Sequence, residues 1–357
     1  MVVRVYSRAN FFLLNMETTQ QNSFDFKAIL AKAGIDGFLL MLAVVIILAY
    51  FFPSIGIAKE PISLEQIANY GLTLIFFFYG LRLNPKSLYA DLKNWRMHII
   101  IQMTTFVVFP VIVLLTKPLV SDEATKLLWL GVFYLATLPS TVSSSVVMVA
   151  NAGGNIPSAI FNASVSSILG IFITPLWMSL FLSSSAENFD MSGIVLKLFL
   201  QVLLPVILGL LLHSYFGSFA EKHKKKLRYF DQTVILLIIY TSFCHSFADG
   251  IFQQISLLDI FLLSILMIGL FFLVYFLVNL VCKLMGFNLK DKITVLFCSS
   301  KKSLVHGTVM SKVLFPQATA AGVIILPIML YHAFQLIFVS ILAQRFARQT
   351  ENLVADE

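Results

Sequence analysis

Long apolar runs separated by short polar connections occupy most of the chain between residues 37 and 345. An apolar run of about 20 residues is long enough to cross a bilayer as a helix. We predict ten such spans, at 37–55, 64–83, 97–116, 126–150, 157–182, 192–216, 231–249, 258–285, 291–315 and 318–345. The pattern therefore predicts an all-α polytopic membrane protein with ten transmembrane helices.

Two of these spans are interrupted by polar clusters, at residues 137–145 and 299–307. The first cluster combines Pro139 with small hydroxyl residues, which break a membrane helix and release backbone groups. The second places Lys301, Lys302 and His306 within an apolar run. A cation at bilayer depth costs roughly 2.5–3.5 kcal/mol on insertion scales, so it normally faces a cavity or a partner. We predict that the two broken spans meet near the middle of the membrane.

The composition agrees with a membrane protein. Of 357 residues, 59% are hydrophobic and 12% are charged, whereas a soluble domain is about 45–50% apolar and about 25% charged. Cys244, Cys282 and Cys298 are widely spaced in apolar runs, which favours packing residues over a disulfide or metal framework. The sequence contains no nucleotide-binding loop, dinucleotide fingerprint or zinc-protease motif. We predict neither an enzyme nor an organic cofactor.

The distribution of lysine and arginine predicts the orientation, because cytoplasmic connections are enriched in both. With the amino terminus inside, the cytoplasmic side holds Arg4, Arg8, Lys27, Lys32, Arg82, Lys86, Lys93, Arg96, the cluster at 222–228, Lys283, Lys290, Lys292, Arg345 and Arg348. We predict an integral multi-pass protein of a plasma or inner membrane with both termini cytoplasmic. The net charge of +7 therefore does not indicate a nucleic-acid partner. We interpret the 222–228 cluster as a topology determinant that contacts anionic lipid.

The two polar clusters align with each other without a gap, which pairs Thr137 with Ser299 and Ser140 with Lys302. Transporters are often built from repeats whose interface holds the substrate site, and an odd number of spans per repeat inverts the second copy. We predict a cytoplasmic arm at 1–36, a first five-helix repeat at 37–185, an inverted second repeat at 186–346 and a cytoplasmic tail at 347–357.

Several short motifs resemble the SBF-like branch of the bile acid:sodium symporter superfamily. They are GLRLNP at 80–85, TLPSTVSS at 137–144, AGGN at 152–155, AIFN at 159–162, and Phe297-Cys298 with Lys302-Ser303-Leu304 and Gly307. The resemblance implies two inverted five-helix repeats, each with a panel of two helices and a core of three. It also implies that helices four and nine are broken and cross each other.

The chain departs from the better known sodium symporters of that superfamily, whose ninth span carries a glutamate and a Gln-Asn pair at the sodium sites. The aligned positions are Cys298, Lys302 and Ser303, and the Ser-Asn of span four falls on Ser144 and Ser145. The resemblance implies that the acidic sodium ligand is lost and that a lysine ammonium stands in for the ion. Sodium near Ser144, Ser145 and Ser167 stays an alternative, as does proton coupling through the lysine.

The two lysines of the second cluster lie deep in the predicted span. Lys302 follows Lys292 by about ten residues, roughly 15 Å of helix and half the hydrocarbon thickness, which is too deep for its ammonium to snorkel easily. Because neighbours on a helix point about 100° apart, we predict that Lys302 faces the contact and that Lys301 is structural. His306 would share the face of Lys302 at i+4, as a substrate or proton group or as a hydrogen-bonding packing residue.

The candidate substrate- and ion-binding set joins both clusters to span five. It comprises Lys302, Ser303, His306, Ser299, Ser300, Lys301, Ser140, Thr141, Ser143, Ser144, Ser145, Asn162, Ser166 and Ser167. The alternative for the hydroxyl residues is that they let helices approach closely and hydrogen-bond across the interface. We interpret His245 and His332 as packing residues and the phenylalanines at 76–78 as lipid-facing bulk.

We predict a secondary active transporter that works by alternating access and carries a small organic anion. Half-helix amino termini carry partial positive charge, to which Lys302 adds a full charge. The predicted partners are that anion and the lipid bilayer, and the sequence identifies no protein partner. Two alternatives remain: a non-transporting membrane regulator or binding protein of the same fold, and an intramembrane hydrolase with Ser299 or Ser300 as nucleophile and a lysine as base.

Overall fold

A computed structural model of the chain describes residues 37–60, 63–82, 94–120, 123–182, 196, 199–315 and 321–355. Within these ranges the chain forms helices and no strand, so the predicted all-α class is confirmed. The predicted amino-terminal arm at 1–36 lies outside the described residues.

The principal helices are numbered in chain order. They are α1 (Gly37–Phe51), α2 (Pro53–Ile57), α3 (Leu64–Arg82), α4 (Trp95–Leu114), α5 (Glu123–Thr137), α6 (Ser143–Asn151), α7 (Ile156–Leu182), α8 (Phe199–Leu211), α9 (His213–Lys222), α10 (Lys224–Ala248), α11 (Leu257–Leu284), α12 (Leu289–Ser299), α13 (Leu304–Leu314) and α14 (Ala321–Ala355).

Five helices in the described part are long and apolar enough to cross a bilayer, namely α4, α7, α10, α11 and α14. A sixth span results if α8 and α9, which are bent by 96° against each other, count as one. The chain is therefore an integral membrane protein, as predicted. The other helices are shorter or more polar than such a span, so ten spans in two inverted repeats stay a prediction.

Three helices differ in extent from the spans predicted by hydropathy. The sixth predicted span runs to residue 216, but α8 ends at Leu211 and the chain turns sharply into the amphipathic α9. The seventh predicted span starts near residue 231, whereas α10 begins at Lys224. The last helix continues to Ala355, through most of the predicted tail. Lysine, arginine and glutamate are good helix formers, so a helix continues where hydropathy falls.

Helices α3 and α8 cross closely through two glycines. A Cβ atom on Gly80 would lie 2.1 Å from Val206 O, and one on Gly209 would lie 2.2 Å from Phe77 O. Those neighbours are backbone atoms, which cannot rotate away as a side chain can. The glycine of the GLRLNP motif is therefore required for helix packing, as small residues generally are where membrane helices approach closely.

We expect Gly80→Ala to lower the melting temperature of the purified protein by several degrees, because α3 and α8 must separate to admit the methyl group. Thermal unfolding in detergent measures the effect. Gly269→Ala in α11 is the matched control, since a Cβ there meets nothing within 4 Å. An unchanged melting temperature in Gly80→Ala would contradict the described crossing.

A group of three ionisable side chains joins α3, α10 and α13, outside the two breaks. Lys312 of α13 donates to Glu65 Oε1 of α3 at 3.2 Å, and His245 Nε2 of α10 lies 3.6 Å from Glu65 Oε2. The Lys312 side chain is only 6% exposed, whereas that of Glu65 is 37% exposed. The interpretation of His245 as a packing residue did not predict that its ring lies near the Glu65 carboxylate.

Candidate functional site

The two polar clusters are breaks in helical pairs, and the breaks touch. Helix α5 ends at Thr137 and α6 begins at Ser143, while α12 ends at Ser299 and α13 begins at Leu304. The Ser303 amide donates to Pro139 O at 2.9 Å, which joins one break directly to the other. The predicted interruptions and their contact are therefore present.

Small residues allow this approach. A Cβ atom on Gly307 would lie 2.6 Å from the Leu138 side chain, and one on Gly170 would lie 2.7 Å from the Pro139 ring. In addition, Tyr134 donates its hydroxyl to Gly307 O at 2.7 Å. The first break is therefore enclosed by α13 on one side and α7 on another.

Four consecutive carbonyl groups at the end of α5 lose their helical partners, and each finds a substitute. Lys302 Nζ donates to Ala136 O at 2.6 Å and to Leu138 O at 2.9 Å. The Thr174 hydroxyl donates to Thr137 O, and the Ser303 amide N–H donates to Pro139 O. Because an unpaired carbonyl in hydrocarbon costs several kcal/mol, this set of donors makes the break tolerable.

The third carbonyl group that accepts a hydrogen bond from Lys302 Nζ belongs to an irregular part of α4. Residues 104–108 form a π-helical turn in which Phe109 N donates to Thr104 O, five residues earlier. In that register residue 110 would donate to Thr105 O, but Pro110 has no N–H. Lys302 Nζ takes Thr105 O at 2.7 Å. In a regular α-helix the residue at position 110 would instead donate to Phe106 O. That carbonyl accepts from the Trp177 indole N–H at 2.8 Å.

Lys302 is thus held by oxygen atoms of two separate segments. Its side chain is buried, with 1% exposure, and its ammonium lies 4.2 Å from the centre of the Phe109 ring. No carboxylate of the described residues pairs with it. The Gln335 side chain fixes its backbone, accepting from Lys302 N at 2.8 Å and donating to Lys302 O at 2.9 Å. The arrangement resembles a cation enclosed by carbonyl oxygens.

Lys301 is bonded differently. Its Nζ donates to Ser144 Oγ at 2.8 Å, at the first turn of α6. Ser144 in turn donates to Thr141, whose hydroxyl lies 2.8 Å from that of Ser145. Ser144 is partly exposed, whereas both lysines are buried. An ammonium carries three N–H groups, and one hydrogen bond of Lys301 is identified, so this ammonium has capacity to bind a ligand oxygen.

The helical spacing used to separate the two lysines is wrong. Residues 301–303 are not helical, so the 100° rotation between neighbours does not apply and both ammonium groups reach the first break. The i+4 relation of His306 to Lys302 fails for the same reason, because the helix restarts only at Leu304. Lys302 itself contacts the first break, through its bonds to Ala136 O and Leu138 O.

His306 faces α3 instead. Its ring lies edge-on to Phe76 and Tyr79, with centroid separations of 6.2 and 5.7 Å, and its Nδ1 lies 3.0 Å from Ser303 Oγ. His306 Nε2 and the Tyr79 hydroxyl are both buried without a hydrogen-bond partner in the described part. Phe76 is 2% exposed, so its interpretation as lipid-facing bulk is wrong.

The serines that precede the lysines have structural contacts. Ser300 Oγ donates to Leu296 O at 2.7 Å, and Ser300 O accepts from the Tyr331 hydroxyl at 2.7 Å. Ser299 Oγ is buried and has no hydrogen-bond partner among the described residues. Neither serine hydroxyl is bonded to a lysine, so the nucleophile and base pair of the hydrolase alternative is not assembled.

The other predicted residues divide between the break and its surroundings. Ser166 Oγ accepts from Ser140 N at 3.0 Å, which places α7 beside the first break as predicted. Asn162 lies one turn earlier in α7 and bonds to α4, through His98 Nδ1 at 2.8 Å and Gln102 Nε2 at 3.3 Å. Ser167 donates to Ala163 O within its own helix. The side chain of Ser143 lies outside the described part.

Several residues of the site were missed by sequence reasoning. Gln335 and Tyr331 come from α14, Thr174 from α7, and Thr105 from α4. The available signals were a glutamine inside an apolar run and a proline at position 110 inside another. Each indicates a backbone or polar group that needs a partner within the membrane.

Comparison with known proteins identifies the family. Residues 36–348 match the SBF-like CPA transporter family. An uncharacterized protein of Pseudomonas aeruginosa is 38% identical over 320 residues, which cover 90% of this chain and 95% of that protein. The putative symporter YfeH of Escherichia coli K12 is 36% identical over 90% of this chain and 96% of its own length.

An animal relative is similar over nearly the same extent. Sodium/bile acid cotransporter 7 of Danio rerio is 31% identical over 88% of this chain and 94% of its own length. The family match and these relatives confirm the resemblance predicted from the short motifs, and they indicate a transporter rather than an enzyme. The chain belongs to the SBF-like CPA transporter family, within the bile acid:sodium symporter superfamily.

Proposed function

We propose that this protein is a secondary active transporter of a small organic anion, in which Lys302 replaces a bound sodium ion and Lys301 contacts the anion. The observation that carries the proposal is the coordination of the Lys302 ammonium by three carbonyl oxygens at 2.6–2.9 Å. Hard cations such as sodium are bound in proteins by carbonyl, carboxylate and water oxygens. An ammonium bound to these three carbonyl oxygens occupies the place that a sodium ion would take.

The electrostatics of the breaks favour an anion. Helices α6 and α13 both begin at the breaks, at Ser143 and Leu304, so their positive dipole ends are directed there. Two lysines add their charges, and no carboxylate of the described residues pairs with either ammonium. Because the carbonyl groups already engage Lys302, the uncompensated charge available to a ligand is mainly that of Lys301.

The architecture proposed for transport follows from the paired breaks. Two interrupted helical pairs touch at their breaks, as expected if residues 37–185 and 186–346 are inverted repeats. Alternating access would then move a core that contains α5, α6, α12 and α13 against a panel that contains α3 and α10. The half-helices would shift as one unit, since Lys302 and the Ser303–Pro139 bond join them.

The relatives suggest the chemical class of the anion. Two of the similar proteins described above carry symporter or sodium/bile acid cotransporter names, one bacterial and one animal. A bile acid or steroid conjugate combines one acidic group with a large apolar body. The acidic group would bind near Lys301 and Ser144, while the aromatic side chains of α3 near His306 would contact the apolar body.

Lys301→Gln tests the anion site. We expect the variant to fold, because glutamine can still donate to Ser144, but to lose at least about tenfold in uptake of taurocholate or a steroid sulfate, as expected when a charge-assisted hydrogen bond is lost. Counterflow into proteoliposomes measures uptake directly. Lys283→Gln removes an exposed lysine and serves as the matched control.

Two results would oppose the assignment of Lys301. Equal uptake by Lys301→Gln and Lys283→Gln would remove Lys301 from the site. Absence of counterflow for any organic anion in a panel, with a protein that melts normally, would favour a binding or regulatory role for the fold.

A further inference from the structure

One cavity of the protein has both basic and apolar lining residues, and no residue of the two breaks lines it. It has a volume of about 640 Å³ and lies between the first turns of α1 and those of α10. One wall carries Lys225 and Arg228, and the other carries the apolar side chains of Phe38 and Met41. A cavity with a basic end and an apolar wall fits a ligand that has both an anionic group and an apolar part.

The polarity of the α10 wall changes steadily along the helix. Lys225 and Arg228 come first, then Tyr229, Gln232 and Thr233, and then Leu236. These residues recur at helical spacing, so they share one broad face. From Lys225 to Leu236 the helix rises about 16 Å, at about 1.5 Å per residue. The order from charged to polar to apolar matches the order of phosphate, glycerol ester and acyl chain in a phospholipid.

The preceding helix indicates the level of the membrane surface. Helix α9 is bent by 96° away from the apolar α8 and exposes Tyr215, Phe216 and Phe219, with exposures of 76%, 51% and 53%. Its small residues Gly217 and Ala220 are buried against the protein. Exposed aromatic residues followed by lysines are typical of a helix at the bilayer interface. The first turns of α10 therefore lie at headgroup level.

We propose that this cavity binds one anionic glycerophospholipid, with its phosphate at Lys225 and Arg228 and an acyl chain along Met41 and Leu236. Polar side chains at the middle of the cavity, Gln232 and Thr233, would contact the ester region. Basic pockets between membrane helices commonly bind such headgroups. The proposal is independent of what the broken helices transport.

Two other lysines of the 222–228 cluster, Lys224 and Lys226, provide a matched comparison. Lys224 donates to Glu221 at 2.8 Å, and both side chains are more than 60% exposed. Lys226 is also exposed, and neither Lys224 nor Lys226 lines the cavity. A general attraction of basic residues to an anionic surface would involve all of these positions equally, whereas a site requires Lys225 and Arg228 in particular.

The test uses the delipidated full-length protein and its thermal unfolding in detergent. Short-chain phosphatidylglycerol is titrated against the wild type, the Lys225→Gln/Arg228→Gln variant and the Lys224→Gln/Lys226→Gln control. We expect the lipid to raise the melting temperature of the wild type and the control in a saturable way. We expect the apparent affinity of the cavity variant to be at least about tenfold weaker, because the variant removes both basic side chains that would bind the phosphate.

Two further ligands distinguish the source of the effect. Short-chain phosphatidylcholine should raise the melting temperature less, and inorganic phosphate should not raise it, because the site requires both a net negative headgroup and an acyl chain. Equal weakening in the two double variants would overturn the proposal in favour of a diffuse surface charge. An equal shift with phosphatidylcholine, or with phosphate alone, would also overturn it.

Discussion

Replacement of Lys302 by methionine should strongly destabilise the protein and abolish uptake. The change leaves Thr105 O, Ala136 O and Leu138 O buried without their donor. An unsatisfied buried acceptor costs about 1–3 kcal/mol, while removal of the buried ammonium recovers part of that cost, so we expect a net loss of roughly 2–4 kcal/mol. The melting temperature in detergent and counterflow uptake in proteoliposomes measure the two effects.

The adjacent lysine is the control for this result. Lys301→Met removes the same charge at the neighbouring buried position but only one identified hydrogen bond, to Ser144. We therefore expect a smaller fall in melting temperature for Lys301→Met than for Lys302→Met. Equal falls in the two variants, or a Lys302→Met protein as stable as the wild type, would show that the three carbonyl contacts do not hold the breaks together.

Glu65→Gln should produce the second large effect. Lys312 is nearly buried and bonds to Glu65 across the interface of α13 with α3, and His245 of α10 approaches the same carboxylate. The variant leaves a buried ammonium without its counter-charge. Because Glu65 is about one-third exposed and water screens part of the interaction, we expect a loss of about 1–3 kcal/mol, seen as a lower melting temperature.

A double-mutant cycle separates this pair from other causes. Lys312→Met removes the buried charge, so Glu65→Gln should cost much less in that background than in the wild type. In the proposed mechanism α13 moves against α3 and α10, so breaking the pair should also alter the rate of uptake. Additive losses of stability in the double variant would indicate that the two side chains do not interact.

The broken helices were accessible from the sequence because their signals are local. Pro139 lacks an N–H, serines compete for backbone hydrogen bonds, and two lysines in an apolar run require partners. Those facts predict both interruptions and their meeting, and the motifs around them predict the family. The start of α3 near residue 64 was equally well marked, since an apolar run follows a short polar connection.

The roles of the two lysines were not accessible in the same way. They depend on the number of carbonyl groups left free in α4 and α5, which in turn depends on a π-helical turn and on the absence of an N–H at Pro110. Helical spacing was assumed through residues 301–303, where the chain is not helical. The close packing of Phe76 against His306 also depends on tertiary contacts, since an exposed and a buried phenylalanine have the same hydropathy.

The position of Asn162 shows a different limit. Sequence reasoning placed it at the break because its helix was expected to pack there, and α7 does pack there through Ser166. Asn162 itself lies one turn earlier and bonds to α4, at His98 and Gln102. Contact between two helices was predictable, whereas the face that each residue presents required the crossing geometry.

Sodium dependence tests the replacement of the ion by Lys302 most directly. Counterflow uptake of taurocholate and thermal unfolding of the wild-type protein should be compared in sodium chloride, potassium chloride and choline chloride at equal ionic strength. If the Lys302 ammonium occupies the cage formed by Thr105 O, Ala136 O and Leu138 O, both measurements will be the same in all three salts. A saturable rise in uptake or in melting temperature with sodium alone would contradict that replacement.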